Sequence, residues 1–180
     1  MSTKVTTGKR TRLSYAHVHK PYAFNPGDPE TYSCCVLIPK DDTQTVNKIK
    51  AALNEAKEQG KASKWGGKIP AGLFDPFRDG DAERPDDSAY KGHYFLNAKG
   101  YDRKPKIYDK HGNEMIGEEE EVYSGCYAKV ILQFRPFANN GKKGISCILG
   151  NIMKVADGEP LGTDLDFSED DFEDDDDFLD

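Results

Sequence analysis

Every lysine and arginine of this chain lies before residue 157, and that division decides which part of it can fold. Residues 157–180 contain 13 Asp and Glu and no basic residue, whereas residues 1–156 contain 25 Lys and Arg against 19 Asp and Glu. The net charge of −7 therefore conceals a body of +6 carrying an end of −13. A block of like charges repels itself and holds its water, so it adds nothing to a packed interior. The core must come from a domain spanning 1–156, which is long enough to bury one without disulfide or metal staples.

Residues 157–180 are expected to form a disordered acidic tail, interrupted by single apolar residues at Leu165, Phe167, Phe172, Phe178 and Leu179. A polyanion with spaced rings can lie on a basic groove in place of a nucleic acid, or dock into a partner's cationic, apolar-floored pocket. Phe172, Asp174, Asp175, Asp176, Asp177 and Phe178 are the candidate docking residues. A solubility tail is the plainer reading.

No stretch approaches the roughly 20 apolar residues of a membrane span, and the start, MSTKVTTGKRTR, has no apolar signal core. A cytoplasmic location is expected. The four cysteines, Cys34, Cys35, Cys126 and Cys147, form no C-x-x-C pair and read as reduced, buried thiols. His17 and His19 share a strand face by period two, but the spacing matches no zinc signature, so neither metal nor cofactor is expected.

Strand-forming runs at 9–18, 31–38, 93–98, 123–137 and 144–155 are separated by turn-formers, with Pro21 and Pro39 ending the first two. Residues 105–109 and 114–116 flank a hairpin turn at Lys110–Asn113, and Glu118–Glu121 read as a solvated loop. Val46, Ile49, Leu53 and Ala56 recur at helical spacing behind the N-cap candidates Asp41, Asp42 and Thr43, with Gly60 as the C-cap. Residues 61–92 form a long loop, which is unusual inside a compact domain and tends to be functional. The pattern predicts a mainly β fold with one principal helix: an OB-like five-stranded antiparallel barrel with long inserted loops, a sandwich fitting nearly as well.

On the longest strand Tyr127, Lys129, Ile131, Gln133 and Arg135 share one face, and Ala128, Val130, Leu132 and Phe134 share the core face. Rings with cations suit single-stranded nucleic acid, since bases stack and phosphates need positive charge. The first strand adds Arg10 and Arg12 on one face, and Tyr15 with Leu13 on the other. Trp65, between Lys64 and Lys68 and freed by Gly66 and Gly67, can stack on a base or plug the barrel end. Lys142 and Lys143 at the last turn can reach phosphate. The DNA-binding candidates are thus Arg10, Arg12, Tyr15, Lys64, Trp65, Lys68, Tyr127, Lys129, Arg135, Lys142 and Lys143.

Two rival readings use the acidic residues. Asp79, Asp81, Glu83, Asp86 and Asp87 crowd one loop, as a Mg²⁺-dependent nuclease or junction-processing enzyme would require, although Arg78 and Arg84 offer salt bridges instead. The other is a DNA mimic whose tail is the active surface.

The stretches KVTTGKRTRLSYAHV, SKWGGKIPAGL, RDGDAERPDDSAYKGHYFLNA, EVYSGCYAKVILQF and NGKKGISCILGNIMKVADGEPLG cover most of residues 4–162. Together they resemble a family of phage-encoded single-stranded DNA-binding proteins. The resemblance implies an OB-type, non-enzymatic protein of the bacterial host cytoplasm. It would coat exposed strands in replication and recombination and recruit polymerase, helicase or primase through the tail. Exposed barrel edges make a homodimer plausible.

Overall fold

The computed structural model describes residues 2–161, so the expectations placed on Phe172, Asp174, Asp175, Asp176, Asp177 and Phe178 lie outside the described residues. The elements are β1 (Lys4–Thr6), β2 (Arg12–Tyr22), β3 (Thr31–Pro39), α1 (Thr43–Ser63), β4 (Arg78–Asp79), α2 (Gly80–Glu83), β5 (His93–Tyr101), β6 (Ile107–Tyr108), β7 (Tyr127–Asn139) and β8 (Lys142–Ala156). The strand order β7–β2–β3–β5–β8 returns to β7 through the β7–β8 hairpin, so five strands close on themselves. Closure decides for the OB-like barrel over the sandwich. Two pairings depart from the all-antiparallel expectation: β5 and β6 both run parallel to β8, with Lys99 opposite Ile148 and Ile107 opposite Ile152. The chain crosses the barrel after β5 to pair β7 with β2, so β8, returning from β7, arrives beside β5 in the same direction. Short β1 and β6 extend the sheet on β7 and β8.

Alternation along β7 is as expected, with Ala128, Val130, Leu132 and Phe134 fully buried. Helix α1 starts where Asp42 caps it, its carboxylate accepting from the Thr45 amide at 3.3 Å and the Thr45 hydroxyl at 2.7 Å. Val46, Ile49, Leu53 and Ala56 join the barrel core, so the helix stoppers one end of it. Two punctuation marks are misread in the sequence. Gly60 lies inside the helix rather than capping it. A Cβ there would stand 2.6 Å from the Trp65 ring and 2.8 Å from Pro136, so glycine is kept for close packing. Pro21 does not end β2, because the β2–β3 ladder is irregular between His17 and Tyr22 and asks no amide of it.

Strand β3 is buried on both faces. Cys34, Val36 and Ile38 face the main core, while Cys35 and Leu37 form a second cluster with Tyr90 and Phe95. The long 61–92 segment explains that second cluster. Its latter part folds into β4, α2 and a 3₁₀ turn at Ser88–Tyr90, which lay Tyr90 over the outside of the barrel.

All four thiols are buried and free. Desolvation pushes Cys34, Cys126 and Cys147 up and raises Cys35 to about 11. Native protein at pH 8 should therefore resist a thiol-specific disulfide reagent, with four thiols reacting only after denaturation. Rapid labelling of native protein would contradict the burial. Because these folded-state pKa values lie above the unfolded value of 9.0, the thiols' contribution to stability is complete below that pH. It is lost as pH rises from there through the folded values.

Candidate nucleic-acid interface

The register of β2, β3 and β5 puts three side chains on one rung of the barrel's outer wall: His17 opposite Ser33, and Ser33 opposite Lys99. The next rung carries Ser14, Cys35 and Asn97. An open groove of about 540 Å³ runs here, lined among others by Tyr15, Phe24, Ser33, Arg84, Asn97 and Lys99, with one carboxylate, Asp28.

A cluster of rings borders the groove, joined to it through Phe24. His17 stacks on Tyr22 with centroids 4.3 Å apart and planes within 6°. Phe24 meets Tyr22 edge-on at 5.0 Å and His17 at 5.7 Å. Tyr22, the last residue of β2, and Phe24, on the loop that follows, are 45% and 54% exposed. Tyr15 is exposed because the β2–β3 register shifts between Ser14 and His17 and its φ is +47°. This irregularity corrects the expected alternation: Leu13 is fully buried and Tyr15 does not share its face.

Arg84 supplies the groove's inserted cation. Its guanidinium stands 4.5 Å from the Tyr90 ring centroid and 5.9 Å from that of Tyr15, donates to the Tyr15 hydroxyl at 3.3 Å and pairs with Asp87 at 3.4 Å. The Tyr15 hydrogen bond is the main cause of its raised pKa. Tyr32 and Tyr101 face each other across β3 and β5 where the wall ends, and Tyr101 is exposed. Stacking rings, two cations and amide and hydroxyl groups suit a single strand whose bases lie against the wall.

A family model described as "Enterobacter phage Enc34, ssDNA-binding protein" matches residues 3–179. The chain belongs to the Enc34 single-stranded DNA-binding protein family. Its structure resembles that of the bacteriophage Enc34 protein solved in complex with single-stranded DNA, with a TM-score of 0.73, 26% identity and 88% of each chain covered. The same fold is shared with gp2.5, a single-stranded DNA-binding protein encoded by bacteriophage T7. There the TM-score is 0.60 at 22% identity, covering 95% of this chain and 93% of that one. Among curated proteins, protein p50 of Acyrthosiphon pisum secondary endosymbiont phage 1 is 27% identical over 157 residues, covering 82% of this chain and 81% of that protein.

In this member of the Enc34 family the sequence-predicted residues are scattered over the barrel, and of them only Tyr15 lines the groove. Arg12 and Tyr127 sit where β2 meets β7, the guanidinium 5.7 Å from the ring centroid. Arg12 is committed to two carbonyls, donating to Gly125 at 3.0 Å and Glu159 at 2.5 Å. Arg10 lies before β2 and pairs with Asp41 at 2.7 Å. Lys129 and Arg135 are exposed along β7, and Lys142 and Lys143 are exposed at the start of β8. Lys64 and Lys68 are exposed beyond α1.

Trp65 cannot offer a face to a base, because it is 5% exposed and its indole N–H donates to the Phe137 carbonyl at 3.0 Å. It is the plug rather than the platform. Its fluorescence should therefore be blue-shifted, resistant to acrylamide and unchanged when oligo-dT saturates the protein. Strong quenching by the oligonucleotide would place the indole in the interface.

Four of the five carboxylates of the nuclease reading are spent on structure. Asp79 caps α2, Asp79 and Asp81 bind Lys40 at 2.7 and 2.8 Å, Glu83 pairs with Arg78, and Asp87 caps the 3₁₀ turn. The Lys40 ammonium holds both aspartates below the usual carboxylate range. Among the described residues no three His, Cys, Asp or Glu are grouped to hold a metal.

Residues that sequence reasoning missed are His17, Tyr22, Phe24, Arg84 and Lys99. The available signal was the density of rings at Tyr15, Tyr22, Phe24 and Tyr32 around one loop.

Proposed function

We propose that this chain is a sequence-tolerant, non-catalytic binder of single-stranded DNA that supports phage replication and recombination in the host cytoplasm. The observation that carries the reading is the groove across β2, β3 and β5, where exposed rings stand beside Arg84 and Lys99 on an OB-type wall. Family membership and the likeness to a protein solved with single-stranded DNA support it. Rings contact bases without reading their edges, which is why sequence matters little. The experiment is a gel-shift panel with single-stranded DNA, duplex and RNA probes. Single-stranded DNA should bind well ahead of duplex; equal binding of duplex would sink the reading.

The acidic tail is the regulatory part of the proposal. With 13 carboxylates it competes for the cationic groove when no strand is bound, and when displaced it is presented to a polymerase, helicase or primase. Both contacts are ionic and weaken with salt. Removing residues 162–180 is expected to tighten binding of oligo-dT at low to moderate salt, with the gain vanishing at high salt. Weaker binding by the shortened chain would exclude masking. A homodimer through the outer edges of β1 or β6 belongs to the same proposal, and sedimentation tests it.

A further inference from the structure

We propose that residues 157–161 are held in a built seat, which fixes where the acidic segment leaves the barrel and so aims it at the groove. The inference rests on the masking reading above and adds the residues that enforce it.

β8 ends at Ala156, opposite Tyr127, beside a cavity whose charged lining is Lys9, Arg10, Lys40 and Asp41. A free polyanion would have these cations within reach at once, in competition with Asp41 for Arg10 and with Asp79 and Asp81 for Lys40. The chain instead follows the 123–125 segment. The Tyr123 hydroxyl lies 3.0 Å from the Asp157 carboxylate and accepts the Gly158 amide at 3.1 Å. Lys154 binds Asp157 at 2.6 Å. Arg12 bridges the two segments through the Gly125 and Glu159 carbonyls. Finally, the Leu161 amide donates to the Ser124 carbonyl at 2.9 Å.

Two glycines allow backbone to lie on backbone. A Cβ on Gly125, whose φ is +112°, would stand 2.1 Å from the Glu159 carbonyl oxygen, and one on Gly158 would stand 2.1 Å from that of Gly125. Most of these contacts are to main-chain atoms, so they specify a path rather than a composition.

The path ends beside the groove. Leu161 packs on the cluster of Cys35, Leu37, Tyr90 and Phe95; Cys35 lines the groove, and Tyr90 lies under Arg84. Eleven of the 13 tail carboxylates follow Leu161. Competition by a tethered segment depends on the length and origin of its tether. Releasing the seat moves the origin from Leu161 back to Ala156, lengthening the tether and returning it to the Lys9–Arg10–Lys40 side.

The test measures oligo-dT affinity for four proteins at one moderate salt concentration. These are the full chain and the chain ending at Leu161, each with and without the paired substitutions Tyr123→Phe and Leu161→Ala, which remove seat contacts without touching a DNA-binding candidate. The tail's effect is the ratio of full-length to shortened Kd. The expected result is a ratio well above one that the substitutions reduce at least twofold, while the two shortened proteins bind alike. An equal ratio in both pairs overturns the seat but leaves masking intact. A ratio of one in the unsubstituted pair overturns masking itself, and the seat's purpose with it. Amide exchange at Gly158 and Leu161 verifies release: it must accelerate in the full-length variant, and exchange that is already fast in the unsubstituted chain also overturns the proposal.

Discussion

Alanine at both Tyr22 and Phe24 is expected to weaken binding of oligo-dT by about tenfold or more while leaving the fold intact. The two rings, at the end of β2 and on the loop after it, stand 45% and 54% exposed, so removing them takes little from the core. A base stacked on an aromatic side chain is worth roughly 1–3 kcal/mol, and about 1.4 kcal/mol is tenfold in affinity. His17 loses its stacking partner in the same variant, which adds to the effect at the wall. Arg84→Ala acts differently. It removes a cation held over Tyr15, so it should lower affinity and flatten the salt dependence by about 0.7 in the logarithmic slope, the share of one phosphate contact on a single strand. The ring variant should leave that slope unchanged. Fluorescence anisotropy across a salt series separates the two. An unchanged Kd for the Tyr22→Ala, Phe24→Ala protein would remove the groove from the DNA path.

The fold was legible because it rests on periodicity. Period two along β7 and the three-four spacing of α1 follow from burial of one face, which a sequence displays directly. The closing of the ring was legible only as a pattern of strands, since the parallel β5–β8 contact depends on a crossing that no local signal announces. The site was less legible for a related reason. Arg12 and Arg10 are basic and strand-adjacent, but their partners, Glu159 and Asp41, lie 147 and 31 residues away. A cation's commitment to a distant acceptor is invisible until the chain is folded. Conversely, Tyr15 reaches the groove by a break in alternation, and Arg84 by a loop folded back over β3; both are departures from the local rule that sequence reading applies. The acidic loop misleads in the same way, because Asp79, Asp81 and Asp87 crowd together to cap short helices and hold Lys40.

Trp65→Ala shows how the same residue type can serve either purpose, and its expected effect is on stability, not affinity. The indole fills space between α1 and the β7–β8 hairpin, packed on Gly60 and Pro136 and hydrogen-bonded to Phe137. Truncating a buried aromatic costs about 3–5 kcal/mol, part from lost apolar transfer and part from the cavity left behind. Here the half-buried Phe137 carbonyl also loses its donor, and a lost hydrogen bond of that kind adds roughly 0.5–1.5 kcal/mol. Against a typical domain stability of about 5–15 kcal/mol, that is a large fraction. The urea midpoint should fall sharply, and Trp65→Phe should recover much of the packing but not the hydrogen bond. Measured on the fraction that remains folded, affinity for oligo-dT should be unchanged in both variants, because the indole and the β2–β3–β5 groove share no lining residue. A variant that keeps its stability and loses its affinity would reverse the assignment and make Trp65 the stacking platform that its flanking lysines suggest.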